Sequence, residues 1–87
     1  MEVILHRSFK KKFKKLPPKT RDQFFERADL FLHDKFHPLL NNHSVERVFL
    51  DSRSINITGD YRAIFREDED GETVIFTKIG THSELYG

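Results

Sequence analysis

The spacing of hydrophobic and polar positions changes twice along the chain. Val3, Ile4 and Leu5 form a short apolar run, and Glu2–His6 is expected to be a strand. The period then becomes helical. Phe9, Phe13 and Leu16 fall at i, i+4 and i+7 and share one helical face, with lysines filling the opposite one. Ser8 suits the N-cap of this helix, and Pro17-Pro18 ends it. Pro18 can open a second helix, because proline is tolerated in a first turn. Phe24, Phe25, Ala28, Phe31, Leu32 and Phe36 give that helix a wide apolar stripe down to Pro38. Two helices so closely joined form a helical hairpin.

From His37 to Ser44 the periodicity dissolves into a polar loop centred on Asn41-Asn42. Three β-like runs follow. Glu46–Leu50, extending toward Ile57, carries Val48, Leu50, Ile55 and Ile57. Tyr61–Arg66 alternates, and Thr73–Ile79 is rich in β-branched residues. Thr58-Gly59-Asp60 and Asp68-Glu69-Asp70-Gly71 supply turn chemistry between them, so these strands form consecutive antiparallel hairpins. The acidic run Glu67–Glu72 is then a solvated hairpin tip. The predicted fold is α+β: a small antiparallel β-sheet packed against an N-terminal two-helix hairpin, in the order β-α-α-β-β-β. Within Tyr61–Arg66, Arg62 and Arg66 share a face opposite Tyr61 and Phe65. Ile64 lies on the arginine face, so the pattern does not say which face is buried.

Eighty-seven residues suggest one domain with one core, and nine Phe and two Tyr make that core aromatic. The absence of cysteine removes disulfides, thiolate metal sites and cysteine nucleophiles, and suits a reducing cytoplasm. The run Val3-Ile4-Leu5 is too short for a signal peptide, and no stretch reaches membrane-spanning length. Net charge is only +1, but it is unevenly spread. Residues 1–21 hold eight basic residues against one acidic, a net +7, and residues 22–87 sum to −6. The basic end, including Lys10, Lys11, Lys14 and Lys15, suits a polyanion. Read plainly, it is also an ordinary solvated helix face.

Several residues carry chemistry. Gly80-Thr81-His82-Ser83-Glu84-Leu85-Tyr86-Gly87 follows the last strand, and a histidine at the lip of a sheet is a candidate proton donor near neutral pH. The simpler reading makes Leu85 and Tyr86 a lid on the core. Arg62 and Arg66 on one strand face suit a phosphate, or else a cross-strand ion pair. Asp60 is a turn residue by position, and His43 is a loop histidine beside asparagines. His33 and His37 have the i, i+4 spacing of a zinc helix, but Asp34 stands where the zincin motif requires Glu, and Pro38 ends the helix at once.

Taken together, Gly59-Asp60-Tyr61-Arg62-Ala63-Ile64-Phe65 and the segment Gly80-Thr81-His82-Ser83-Glu84-Leu85-Tyr86 resemble the RelE/ParE toxin superfamily of type II toxin–antitoxin systems. The His-containing tail is most similar to its YafQ-like mRNA interferase branch. The order of elements fits over essentially the whole chain, residues 1–87, as a single RelE-like toxin domain. The specific match is confined to about the last thirty residues and the basic hairpin. The resemblance implies a toxin that cuts mRNA, typically in the ribosomal A site, with no metal and no cofactor. It further implies a cognate antitoxin partner, a monomeric toxin within that complex, and a cytoplasmic location.

Carried over by position, the resemblance makes His82 the general acid, Arg62 the residue that meets the scissile phosphate, and Tyr86 the aromatic that places the RNA. Asp60 matches an acidic site residue and His43 a loop histidine, and either is a candidate base. Asn56 stands where some members have another histidine, and the segment around Arg53 lacks a lysine pair found in other members. The expected RNA contacts are Lys10, Lys11, Lys14, Lys15 and Arg66. Two other readings remain open. One is a ParE-like, non-nuclease toxin that poisons a DNA topoisomerase. The other is a metallohydrolase built from His33, His37 and His43.

Overall fold

The structure, a computed structural model, describes residues 1–87. It comprises β1 (Glu2–Leu5), α1 (Arg7–Phe13), α2 (Pro18–His33), a 3-10 turn (Pro38–Leu40), β2 (His43–Ser44), β3 (Arg53–Asn56), β4 (Tyr61–Glu67), β5 (Thr73–Thr81) and α3 (His82–Tyr86). The strands form one sheet in the order β1-β5-β4-β3-β2. The expected α+β arrangement is present, and β3, β4 and β5 pair antiparallel. The outer pair differs. β1 runs parallel to β5, with Glu2 opposite Thr73 and Leu5 opposite Phe76. Both helices and β2, β3 and β4 lie between these two strands in sequence, a connection long enough for a parallel pair.

One face of the sheet packs on the helices through phenylalanines. Phe76 on β5 lies 5.9 Å from Phe9, 5.3 Å from Phe24, 6.2 Å from Phe31 and 5.5 Å from Phe65, ring centre to ring centre. These tilted and edge-on pairs are the arrangements that aromatic quadrupoles favour. Leu16, Leu40, Ile55, Ile57, Ala63, Val74 and Ile79 complete the buried cluster.

A β-bulge in β5 decides what each face carries. Ile64 pairs with Lys78, but Phe65 pairs with Phe76, so Thr77 is the extra residue. Phe76 and Ile79, three residues apart, can therefore both reach the helical core. On β4, Tyr61, Ala63 and Phe65 face the helices. Arg62, Ile64 and Arg66 consequently face away, which assigns the face that alternation alone left open. On that second side Ser54, Ile64 and Lys78 are cross-strand neighbours.

Local departures from the sequence reading have identifiable causes. His6, not Ser8, caps α1, its Nδ1 accepting from the Ser8 amide at 3.1 Å. The Ser8 hydroxyl instead donates to the Thr77 carbonyl at the bulge, 3.0 Å away. The apolar stripe is divided: Phe24 and Phe31 face the core and are buried, Phe25 and Leu32 lie at the exposed margin of α2, and Phe36 falls beyond its end at His33 and is exposed. The expected strand over Glu46–Leu50 is a series of turns, in which the amides of Val48 and Phe49 both reach the Val45 carbonyl at 2.9 Å. β-prone residues stay in a strand only where a partner and a half-buried surface receive them. Here Val48 and Leu50 are exposed, Asp51 turns the chain at φ 55°, and the strand begins at Arg53. Within the expected polar loop, His43 and Ser44 form a short strand opposite Ser54 and Arg53.

Phe76 touches four other rings, so its truncation tests this packing. Phe76→Ala is expected to cost about 3–5 kcal/mol of unfolding free energy in a urea titration, the usual range for a buried phenylalanine. A loss under about 1 kcal/mol would contradict the central place given to this ring.

Candidate active-site cleft

The second face of the sheet, away from α1 and α2, carries a cleft of about 640 Å³ lined by His43, Ser44, Val45, Glu46, Arg47, Val48, Ser54, Arg62, His82 and Tyr86. Three parts of the fold build it. β2 supplies His43, β4 supplies Arg62, and α3 supplies His82 and Tyr86. The turns after Ser44 form one wall.

The α3 part depends on how β5 ends. Thr81 caps α3 through its hydroxyl, which accepts from the Glu84 amide at 3.1 Å. Glu84 Oε1 accepts from the Thr81 amide in return at 2.8 Å, a capping box. Glu84 Oε2 accepts from Lys12 Nζ of α1 at 2.7 Å. The His82 amide donates to the Asp60 carbonyl at 3.1 Å, which ties the start of α3 to the turn before β4. Gly80 makes this seating compact, since a Cβ there would lie 3.2 Å from Glu84 Oε1 and 3.4 Å from Glu84 Cβ. Within α3 the His82 and Tyr86 rings are 4.8 Å apart, and Tyr86 reaches Phe49 of the turn wall at 6.0 Å.

Lys12 and the Thr81 amide together hold the Glu84 carboxyl down at about 2, against an ordinary 4.5. The Lys12 hydrogen bond is the larger cause. A carboxylate with a depressed folded-state value stabilises the fold above its unfolded value, and this contribution is lost as pH falls toward the folded one. The clamp on α3 is therefore fully formed at neutral pH.

His43 sits on β2 with its Nδ1 2.7 Å from the Asn41 carbonyl. A carbonyl only accepts, so in the neutral ring Nδ1 carries the proton and Nε2 keeps its lone pair. The approach to His43 is fixed by Asn42, whose amide donates to the Lys35 carbonyl at 2.9 Å and whose Oδ1 accepts from Arg53 Nε at 2.8 Å. Arg62 is half-buried, and its Nη1 donates to the Thr58 and Tyr61 carbonyls at 3.0 and 3.1 Å. Its cross-strand neighbours are Gly80 on β5, which has no side chain, and Asn56 on β3. The lysine and arginine ion pairs of the chain are Lys12–Glu84 and Lys35–Glu67, so neither Arg62 nor Arg66 is neutralised by a carboxylate. Two histidines, Arg47 and Arg62 against the single carboxylate of Glu46 give the cleft a lining suited to an anion.

The structure thus brings His43, Arg62, His82 and Tyr86 together. Asp60 stands beside them, but its exposed side chain does not line the cleft, and its contribution there is the carbonyl that receives His82. Arg66 is exposed farther along β4, outside the cleft. Lys10, Lys11, Lys14 and Lys15 are exposed on and just after α1, also outside it. Asn56 lines a separate groove with Lys19 and Arg27, and its Oδ1 is buried without a partner. His33 and His37 do not share a helix. His33 is the last residue of α2, and His37 Nδ1 accepts from the Leu39 amide as the cap of the 3-10 turn. The i, i+4 spacing noted in the sequence is therefore not presented on one helix.

Ser54 and the Glu46–Val48 wall carry no functional signal in the sequence. Ser54 is fully buried in the strand paired with His43, and its hydroxyl has no hydrogen-bond partner. Nothing in the sequence distinguishes this serine. The wall was hidden because its residues read as a strand.

Residues 3–86 match the family described as ParE toxin of the type II toxin–antitoxin system parDE. No curated protein sequence matches significantly. Among solved structures, YafQ from E. coli strain BL21(DE3) superposes with a TM-score of 0.80 at 14% identity, covering 99% of this chain and 98% of that one. The E. coli DinJ–YafQ toxin–antitoxin complex gives 0.78 at 14% identity, over 99% and 97% of the two chains. The archaeal RelE–RelB complex from Pyrococcus horikoshii OT3 gives 0.74 at 19% identity, over 92% of each. At these identities the likeness is one of fold, and the family match spans nearly the entire chain. The chain belongs to the ParE toxin family, the toxin side of type II toxin–antitoxin systems within the RelE/ParE superfamily.

Proposed function

We propose that this toxin is an endoribonuclease that cleaves mRNA on the ribosome, with the cleft between β2, β4 and α3 as its active site. The observation that carries the reading is the convergence of His43, Arg62, His82 and Tyr86 on one anion-suited cleft. RNA brings its own nucleophile, the 2′-hydroxyl beside each phosphate. His43 Nε2 takes the proton of that hydroxyl, and the oxygen attacks the adjacent phosphorus. Arg62 bears on the oxygens that gain charge. The bond from phosphorus to the 5′-oxygen breaks, and His82 delivers a proton to that oxygen. The products are a 2′,3′-cyclic phosphate and a 5′-hydroxyl. Tyr86 stacks on a base and orients the chain. His43 is favoured over Asp60 as base because its free nitrogen lies on a cleft-lining ring, whereas the Asp60 carboxylate does not line the cleft.

Lys10, Lys11, Lys14 and Lys15 engage the RNA backbone beyond the cleft, as does Arg66, in the salt-sensitive manner of phosphate contacts. The DinJ–YafQ and RelE–RelB complexes support a cognate antitoxin as the physiological partner. Messenger RNA and ribosomes place the activity in the cytoplasm. A second reading rests on the family match itself, which is to ParE toxins. In that reading the protein poisons a DNA topoisomerase and needs no acid at position 82.

His82→Gln separates the two. The variant is expected to fold and bind antitoxin, to cleave RNA about 10²-fold to 10⁴-fold more slowly, and to lose growth arrest when expressed alone. Full toxicity would favour the topoisomerase reading.

Arg62 gives a second test. Arg62→Ala is expected to lower single-turnover cleavage by about 10²-fold to 10³-fold, with little change in RNA affinity or melting temperature. Arg62→Lys should recover little, since a point charge does not reproduce a planar fork on phosphate oxygens. A folded Arg62→Ala protein with wild-type turnover would remove Arg62 from the site.

A further inference from the structure

Lys12 stands apart from the other lysines of the basic end. Lys10, Lys11, Lys14 and Lys15 are exposed, and their ammonium groups have no partner in the chain. Lys12 is half-buried and reaches Glu84, 72 positions away. The pair crosses a gap between α1 and α3 that is lined by Ser8, Phe49, Thr77 and Leu85 as well. We infer that Lys12 is a positioning residue for the cleavage centre: by binding Glu84 it holds α3, and with it His82 and Tyr86, against the end of β5.

The need for such a clamp follows from the helix itself. α3 has five residues and buries none of them. A helix that short has no stability of its own in water. Its polar attachments are the Asp60 carbonyl, the capping box and the Lys12 pair. The last two meet in one carboxylate, since Glu84 uses Oε1 for the Thr81 amide and Oε2 for Lys12. Fixing Oε2 therefore also fixes the rotamer that closes the capping box. The depressed Glu84 titration agrees, with Lys12 as its largest cause. Exposed ion pairs add little to global stability, so the consequence is local order of α3. A proton donor displaced by about 1 Å loses much of its effect on rate, because catalytic groups act only in near-attack geometry.

This inference rests on the nuclease reading for its catalytic consequence, and two variants separate it from a role in RNA binding. Lys12→Met and Glu84→Gln are each expected to lower kcat by about 10-fold, with KM and its salt dependence nearly unchanged. The melting temperature should move by no more than about 2 °C. Lys12→Arg should restore most of kcat. Hydrogen exchange at the His82, Glu84 and Gly87 amides should accelerate in both clamp variants and not in Lys12→Arg. If Lys12 instead grips the RNA backbone, Lys12→Met raises KM and flattens the salt dependence. Glu84→Gln would then free the lysine and tighten binding. That pattern, or unchanged exchange at the three amides, overturns the inference. Failure of the nuclease reading shows itself separately, as a wild-type protein that cleaves no RNA, and the exchange measurement still decides whether Lys12 holds α3.

Discussion

The seating of a five-residue helix on the end of β5 is the constraint on which the site depends. Without it the sheet still has its aromatic core, but His82 and Tyr86 have no defined position relative to Arg62 and His43. Three short hydrogen bonds meet at Glu84, from Lys12, from the Thr81 amide and, through the reciprocal cap, between the Thr81 hydroxyl and the Glu84 amide. A fourth, from His82 to the Asp60 carbonyl, fixes the start of α3 to the β3–β4 turn. The bare surface of Gly80 lets Glu84 and Leu85 come close. The end of the chain is thus tied to α1, which lies near its beginning.

The two faces of the sheet divide the work. Aromatic packing fills the side toward the helices, where Phe76 is surrounded by other rings. The bulge at Thr77 lets Phe76 and Ile79 both join that core while Lys78 and Gly80 pair with Ile64 and Arg62. The opposite side holds the cleft, and the turns from Val45 to Val48 border it. Ser54 lines the cleft from this side, fully buried beside Ile64, and its hydroxyl has no partner. A fully buried hydroxyl without a partner is uncommon in folded proteins and calls for a physical reason.

Much of this was legible in the sequence because it rests on local periodicity. The helical spacing of Phe9 and Phe24, the turns at Gly59 and Gly71, and the β-branched run of β5 each follow from residue preference. The Asp60-Tyr61-Arg62 segment and the terminal Gly-Thr-His pattern indicated the superfamily to which the chain belongs. Other features depend on contacts distant in sequence. β1 carries no sign that its partner is a parallel β5. Val48 and Leu50 favour a strand by composition, but no edge receives them there. The exit of α2 at His33 exposes Phe36, which then lies under the Arg53 guanidinium at 5.6 Å. Lys12 is indistinguishable from its neighbours by charge or spacing, and only its distance to Glu84 sets it apart.

The proposal as a whole places a base and an acid on either side of an RNA phosphate whose own 2′-hydroxyl attacks. The ends of the cleaved RNA test this most directly. Purified toxin incubated with mRNA and ribosomes should leave 5′-hydroxyl ends on the downstream fragments, and 2′,3′-cyclic phosphates or their opened 3′-phosphates on the upstream ones. Downstream fragments bearing 5′-phosphates would mean that water, not the neighbouring hydroxyl, attacks phosphorus, and would contradict the roles given to His43 and His82.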